Sequence, residues 1–370
     1  MIKVSIIFGT RPEVIKLASL IKAFSQEATI ELNVCFTGQH KEMVLPLLDF
    51  FEIKVDHALD IMQPNQTLAT LSARSLVAVE EYLKEVKPDM VFVQGDTTTA
   101  MCAASAAFYQ KIKVAHVEAG LRTHNMFSPF PEEFNRQVIS RITDLHFAPT
   151  AIAGENLQKE GFDDKTVFVT GNTVIDSLLF ARKKIEENAS KYQMDFPWTG
   201  EKMILITGHR RENFGEGFEN MCKAVKELAT KYPQYSFVYP VHLNPNVQEP
   251  VNRLLGGLKN VFLIPPMDYI GFTTLMAKSY FILTDSGGVQ EEAPTLGKPV
   301  LIMRDTTERM EAVNNGAAIL VGTDKDNIVF NAIRLIEDEA LYLKMSTAGN
   351  PFGDGCAAVT IVQKTLSYFQ

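Results

Sequence analysis

"LTDSGGVQEEAPTLGKPVLI", residues 283–302, is the stretch on which the reading of this chain turns. The apolar run "YFILT" (280–284) stops at Asp285, Ser286, Gly287 and Gly288 follow, a helical segment comes next, and a second apolar run, "KPVLIM" (298–303), closes the unit. Strand, glycine turn, helix and strand in that order form the repeating unit of a parallel sheet covered by helices. Backbone N–H groups bared at a helix start suit a diphosphate. Glu292, one turn further, is placed to accept hydrogen bonds from ribose hydroxyls. A purely structural glycine turn is the alternative.

The same unit recurs on both sides of this stretch. "KVSIIF" (3–8), "LNVCFT" (32–37), "DMVFVQ" (89–94), "KVAHVE" (113–118), "DLHFAP" (144–149) and "TVFVT" (166–170) read as strands, with periodic helical segments such as 12–26, 67–86, 98–110 and 132–142 between them. A second set, "KMILIT" (202–207), "SFVYP" (236–240) and "VFLI" (261–264), leads into the opening stretch. Between the sets lies the polar segment "EENASKYQMDFPWTGEK" (186–202), with Pro197, Gly200 and the only tryptophan. At 370 residues the chain is too long for one hydrophobic core. The expected fold class is therefore α/β, with two Rossmann-like, doubly wound domains over 1–174 and 175–355. The amphipathic segment 356–370 is expected to pack back on the first domain.

Bulk properties narrow the function. A net charge of −8 supplies no reason for nucleic acid or an anionic membrane as partner. An anionic ligand would have to be met by local positive charge. Cys35, Cys102, Cys222 and Cys356 are far apart and form no CxxC, which favours buried free thiols over a zinc site or a disulfide framework. The first residues form an apolar run too short for a signal peptide, and no segment reaches the ~18 apolar residues of a membrane span. These features read as a soluble, cytoplasmic protein.

Ligands of open α/β sheets bind beyond the carboxyl ends of strands, so motifs directly after strands matter most. "FGTRPEVIK" (8–16) runs from strand through a glycine turn into a helix opened by Pro12, with Arg11 and Lys16 positioned to offer a fork and a point charge to phosphate oxygens, or simply solvated. In "VQGDTTTAMCAASAAF" (93–108), Asp96 is either a helix N-cap or a catalytic acid or base at a strand end. "HVEAGLRT" (116–123) places Glu118 at the end of another strand, and Glu132 and Glu133 open a helix after Pro129 and Pro131. Acids at a helix start are favoured by its dipole in any case. Three carboxylates on one sheet edge, Asp96, Glu118 and Glu132, are nonetheless what proton transfer at a sugar carbon needs. "ITGHRRENFG" (206–215) concentrates positive charge at a strand end, where His209 could bind a phosphate oxygen or act as an acid. The seven histidines show neither HxH nor HExxH spacing, so no metal is expected.

In this order FGTRPE, QGDTTT, HVEAGLRT, SPFPEEFNR, TGHRREN, TDSGG with QEEAP, and RDTTER resemble the non-hydrolysing UDP-N-acetylglucosamine 2-epimerases. With "NPFGDG" (350–355) the likeness spans essentially the whole chain. The resemblance implies a GT-B-type fold with a ligand cleft between its two domains, a homodimer, and no cofactor. It implies interconversion of UDP-N-acetylglucosamine and UDP-N-acetylmannosamine by elimination of UDP to a 2-acetamidoglucal and re-addition, supplying N-acetylmannosamine units for cell-surface polysaccharide. Matched motif by motif, Asp96, Glu118 and Glu132 take the acid/base positions and His209 the position beside the leaving diphosphate. Arg11, Lys16, Ser286, Gly287, Gly288, Glu292 and Arg309 fall on UDP-binding positions, and Phe272, in "MDYIGF" (267–272), lies near the uracil.

The chain departs from the family pattern at several positions. Met310 replaces a proline after Arg309, and Met267 replaces a glutamine that could bond uracil. Glu42 and Leu243 fall in regions where bacterial members often bind a second UDP-N-acetylglucosamine, Leu243 standing where a basic residue is often present. Rival readings are a GT-B glycosyltransferase, a hydrolysing epimerase, and a catalytically silent UDP-sugar sensor. The last would keep the phosphate motifs and lose the carboxylates, which are all present.

Overall fold

Strands β1 (Ile2–Phe8), β2 (Ile30–Phe36), β3 (His57–Ala58), β4 (Met90–Gln94), β5 (Lys113–Val117), β6 (Leu145–Ala148) and β7 (Val167–Val169) form one parallel sheet in the order β3-β2-β1-β4-β5-β6-β7. A second parallel sheet runs β10-β9-β8-β11-β12-β13, from β8 (Met203–Thr207), β9 (Ser236–Pro240), β10 (Val261–Ile264), β11 (Phe281–Thr284), β12 (Val300–Ile302) and β13 (Ala318–Leu320). The computed structural model describes residues 1–192 and 202–370. Pro197, Gly200 and the tryptophan of the expected linker lie outside the described residues.

In each sheet the strand order reverses beside the first strand, between β1 and β4 and between β8 and β11. This is the doubly wound, Rossmann-like arrangement of a GT-B-type α/β chain, and the reversal opens a crevice at the carboxyl ends of those strands. Register brings specific turns together there: Ile6 pairs with Phe92, and Gln94 with Val117. The turns after β1, β4 and β5 thus emerge side by side.

Burial explains why these runs became strands. The β4 residues Met90, Val91, Phe92 and Val93 are wholly buried, as a central strand covered on both faces requires. Phe92 meets Phe24 edge-on with centroids 5.0 Å apart and stacks on Phe147 at 6.2 Å. Truncating such a side chain typically costs ~3–5 kcal/mol. The helix Thr98–Tyr109 lies close to the sheet because Ala100, Ala103, Ala104, Ala106 and Ala107 present almost no side-chain bulk. In the second unit Phe218, Phe237, Phe281 and Leu283 form the equivalent core.

The chain divides into two units, Met1–Phe180 with Phe352–Gln370, and Ala181–Pro351. The division falls within the helix Thr173–Glu187, a few residues after the expected boundary at 175. Val174, Ile175 and Leu178, on the first unit's side, are buried. The terminal helix Ala357–Tyr368 belongs to the first unit, where Asp176 Oδ1 accepts the Ala358 N–H at 2.9 Å.

Two strands lie outside the runs read as strands: β3 has two residues, too few to show alternation, whereas β13 sits in the apolar run 317–321 between Gly316 and Gly322 and was legible. The cysteine expectation also needs correction. Cys35, Cys102 and Cys222 are buried free thiols, but Cys356 is exposed. It occupies the N-cap position of the terminal helix, outside the packed face.

Candidate active site

The first unit gathers a cluster of carboxylates. Asp96, Glu118 and Glu132, with Lys16 and Glu13, line a pocket of about 400 Å³ at the ends of β1, β4 and β5. Glu118 follows β5 in left-handed backbone, φ 66°, a conformation costing a non-glycine residue roughly 1–2 kcal/mol. Its side chain is correspondingly well held. Oε1 accepts from Lys16 Nζ and from Asn172 Nδ2 at 3.3 Å, and Oε2 accepts from Gln94 Nε2. Lys16, expected on a diphosphate, is here the ion-pair partner of Glu118.

Asp96 is not the N-cap of the helix it precedes. Thr97 holds that position, its hydroxyl accepting the Ala100 N–H at 2.9 Å. Asp96 Oδ2 instead accepts from Arg136 Nε at 2.8 Å, and its backbone carbonyl accepts from Asn135 Nδ2 at 2.8 Å. Both partners come from the helix Glu132–Ile142. Glu132, the first residue of that helix, has an Oε2 that is buried and meets no hydrogen-bond donor in the described structure.

Glu133, next to it, is wholly buried and serves differently. Its carboxylate accepts the backbone N–H groups of Thr123 and His124 at 3.0 and 3.2 Å, Gln137 Nε2 at 3.1 Å and Arg136 Nη1 at 3.2 Å. Burial works to raise its pKa, but bonds from Thr123, Gln137 and Arg136 together outweigh it and leave the pKa lowered.

The turn after β1 is organised by another buried acid. Glu13 Oε2 accepts the N–H groups of Gly9 and Thr10 at 3.0 and 2.7 Å, while Oε1 accepts the Thr97 hydroxyl at 2.8 Å. Burial pushes its pKa up, against these bonds. Two backbone N–H groups that could otherwise face an anion are therefore already used. From β5, His116 Nε2–H donates to the Gly95 carbonyl at 2.7 Å. Burial depresses its pKa to about 4, so this imidazole is neutral.

The second unit gathers cations and a glycine turn. Asp285, wholly buried after β11, accepts the backbone N–H groups of His209 and Arg210 through Oδ2, both at 2.8 Å. Its Oδ1 lies 3.8 Å from His209 Nδ1. Burial lowers the His209 pKa, Asp285 opposes this, and His242 and Arg210 add to the lowering. The rings of His209 and His242 stack at 5.2 Å.

Arg309 reaches the glycine turn from the loop after β12. A Cβ on Gly287 would lie 3.0 Å from its Cζ, so a larger residue there would push the guanidinium aside. Glu291 and Glu308 fix that guanidinium, with Nε to Glu291 Oε1 at 2.9 Å and Nη1 to Glu308 Oε2 at 2.8 Å. These ion pairs hold Arg309 although Met310 stands in place of a proline. Ser286 and Gly288 flank Gly287, half-buried Glu292 ends the short helix Gly287–Glu292, and half-buried Phe272 lies near the start of the helix Tyr269–Lys278 after β10.

The expected site residues therefore fall into two sets. Lys16, Asp96, Glu118 and Glu132 share one pocket in the first unit, with Arg11 opening the adjacent helix Arg11–Ser25. His209, Phe272, Ser286, Gly287, Gly288, Glu292 and Arg309 follow strand ends of the second. Sequence reading assigned no role to Gln94, Asn172, Glu13 or Asp285. Only Asp285 had a signal, its place at a strand end before the glycines. A larger cavity of about 710 Å³ in the second unit, among Arg182, Thr273, Leu296 and Lys298, takes none of the expected residues. Among the described residues no cluster of three or more histidine, cysteine, aspartate or glutamate side chains is placed to hold a metal ion. No described helix is long and apolar enough to cross a membrane.

The chain is similar to known proteins along nearly its whole length. The family model for UDP-N-acetylglucosamine 2-epimerase matches residues 22–366. A Yersinia pestis UDP-N-acetylglucosamine 2-epimerase is 51% identical over 368 residues, covering 98% of this chain and 97% of the relative. The crystal structure of the Neisseria meningitidis UDP-GlcNAc 2-epimerase bound to UDP-GlcNAc superposes with a TM-score of 0.92 at 49% identity, covering 99% of this chain and 100% of that one. The Methanocaldococcus jannaschii enzyme in complex with UDP-GlcNAc and UDP gives 0.80 at 33% identity, with the same coverage.

Proposed function

The chain belongs to the UDP-N-acetylglucosamine 2-epimerase family, and from that premise we propose that it inverts C2 of UDP-N-acetylglucosamine to give UDP-N-acetylmannosamine without net hydrolysis. The observation that carries the reading is the pocket in which Asp96, Glu118 and Glu132 converge, two of them already ion-paired with a cation.

The C2 proton is not beside a carbonyl, so direct abstraction would face a very high barrier. Elimination avoids it. A carboxylate takes the C2 proton, the C2–H electron pair becomes the C1=C2 bond, and the C1–O bond breaks to release UDP. The intermediate is a 2-acetamidoglucal. A β-phosphate oxygen of UDP then re-forms the C1–O bond while C2 receives a proton from the opposite face. No hydride moves, so the scheme uses no nicotinamide. Asp96 and Glu118, paired with Arg136 and Lys16, suit proton removal. Glu132, with its buried unpartnered oxygen, suits proton return. His209, beside Asp285, is assigned to the departing diphosphate. Arg11, Lys16, Ser286, Gly287, Gly288 and Arg309 are assigned to binding UDP, Glu292 to the ribose and Phe272 to the uracil. The reading extends to a cytoplasmic homodimer that supplies N-acetylmannosamine units for surface polysaccharide.

Incubation with UDP-N-acetylglucosamine in D2O tests the proposal. The expected products are both epimers, deuterated at C2, with UDP still attached. Absence of deuterium at C2 overturns the epimerase reading, and stoichiometric release of UDP identifies a hydrolysing enzyme instead.

A further inference from the structure

Asp96 is held from every side of its turn. His116 fixes the preceding carbonyl, Glu13 holds the Thr97 hydroxyl, and Asn135 holds the Asp96 carbonyl. Among the described residues, Arg136 reaches the reactive carboxylate itself, its Nε–H donating to Oδ2 at 2.8 Å. The same guanidinium is tied through Nη1 to wholly buried Glu133, which in turn holds the Thr123 and His124 amides of the loop leading from β5. Arg136 side-chain exposure is 9%, against 27% for Asp96, so the cation sits on the protein side of the carboxylate and leaves its other face to the pocket.

We propose that Arg136, braced by Glu133, is the positioning residue that orients Asp96 for proton transfer at C2. This rests on the epimerase reading. A planar guanidinium can satisfy both acids at once, with Nε on one and Nη1 on the other, which a lysine ammonium on a flexible stem cannot do at fixed angles. The remaining titratable groups around this turn are Glu132 on the same helix, Glu13 and Lys16 from the helix after β1, and Glu118 and His116 from β5. Asp96 shares the pocket with the carboxylates of Glu13, Glu118 and Glu132. Arg136 is the cation bonded to it.

The full chain with Arg136→Gln, Arg136→Lys, Asp96→Asn and the Asp96→Asn/Arg136→Gln pair provides the test, read by C2 deuterium exchange, by kcat and KM separately and by UDP affinity from calorimetry. Arg136→Gln is expected to lose about 10²-fold in kcat from the misplaced carboxylate, with KM within about twofold of wild type. Arg136→Lys should recover part of that kcat but not all of it, because the charge returns without the fork. In the Asp96→Asn background, adding Arg136→Gln should cost little further, since both act through one group. UDP affinity should stay near wild type throughout. An unchanged kcat in Arg136→Gln, or losses that simply multiply in the double variant, overturns the inference. If Arg136→Gln does not fold, Arg136→Lys decides in its place, and wild-type kcat in that variant overturns the inference. Failure of the wild-type enzyme to exchange deuterium would instead sink the functional reading on which the inference rests.

Discussion

The two units share a strand order and use acids in opposite ways. In the first, Asp96 and Glu118 present carboxylates to a pocket while cations and amides hold them from behind. In the second, Asp285, Glu291 and Glu308 are the holding groups, fixing backbone amides and Arg309 around a glycine turn. Under the proposed function, equivalent topology yields a proton-handling edge in one unit and an anion-gripping edge in the other. The difference lies in which sign of charge each turn leaves facing outward. Glu13 sharpens the contrast, because by taking the Gly9 and Thr10 amides it removes donors that a phosphate could have used after β1.

The contrast breaks most severely at Asp96. Asp96→Asn should lower C2 exchange by about 10³-fold, within the range of a lost acid/base group, while calorimetry finds UDP affinity essentially intact. Near-normal turnover would remove Asp96 from the chemistry. An effect of intermediate size separates stability from catalysis. Burial lowers the pKa of His116 to about 4 and of His146 to about 3, below the unfolded value of about 6.5. The unfolded chain binds more protons below that value, so this stability is fully present above pH 6.5 and falls as pH drops toward the folded values. Denaturant titration at pH 7.5 and pH 5 should show a loss of about 2 kcal/mol for each histidine. His116→Gln should remove about half of the difference, and an unaltered pH dependence in that variant would show that His116 carries none of it. The smallest change tests the second unit alone. Gly287→Ala pushes against Arg309, and UDP should bind about fivefold more weakly, a change of about 1 kcal/mol. Unchanged affinity would remove Arg309 from the diphosphate grip.

Much of the fold was legible in the chain. Eleven apolar runs quoted as strands correspond to strands of the two sheets, displaced at most by a residue or two at their ends. The turns bearing Asp96, Glu118, His209 and Ser286 were legible too, since each follows directly on such a run. What escaped was short or cooperative. β3 exists because β2 pairs with it, not because two residues prefer to be extended, whereas β13 lies in a bounded apolar run, 317–321, that went unread. The αL backbone of Glu118 likewise leaves no local mark, since glutamate has no preference for that region.

Strand periodicity, turn chemistry and the order of the motifs determined the fold class, the candidate carboxylates and the family, because each depends on residues near one another in the chain or on a linear pattern. Only the tertiary structure decided which charge answers which. Lys16 finds Glu118 across 102 residues, Arg136 finds Asp96 across 40, and the His209 amide finds Asp285 across 76. Those partnerships follow from β1 lying against β4, β4 against β5 and β8 against β11. The physical reason is that an ion pair is made by proximity after folding, and strand order sets proximity between segments whose local sequences carry no record of each other.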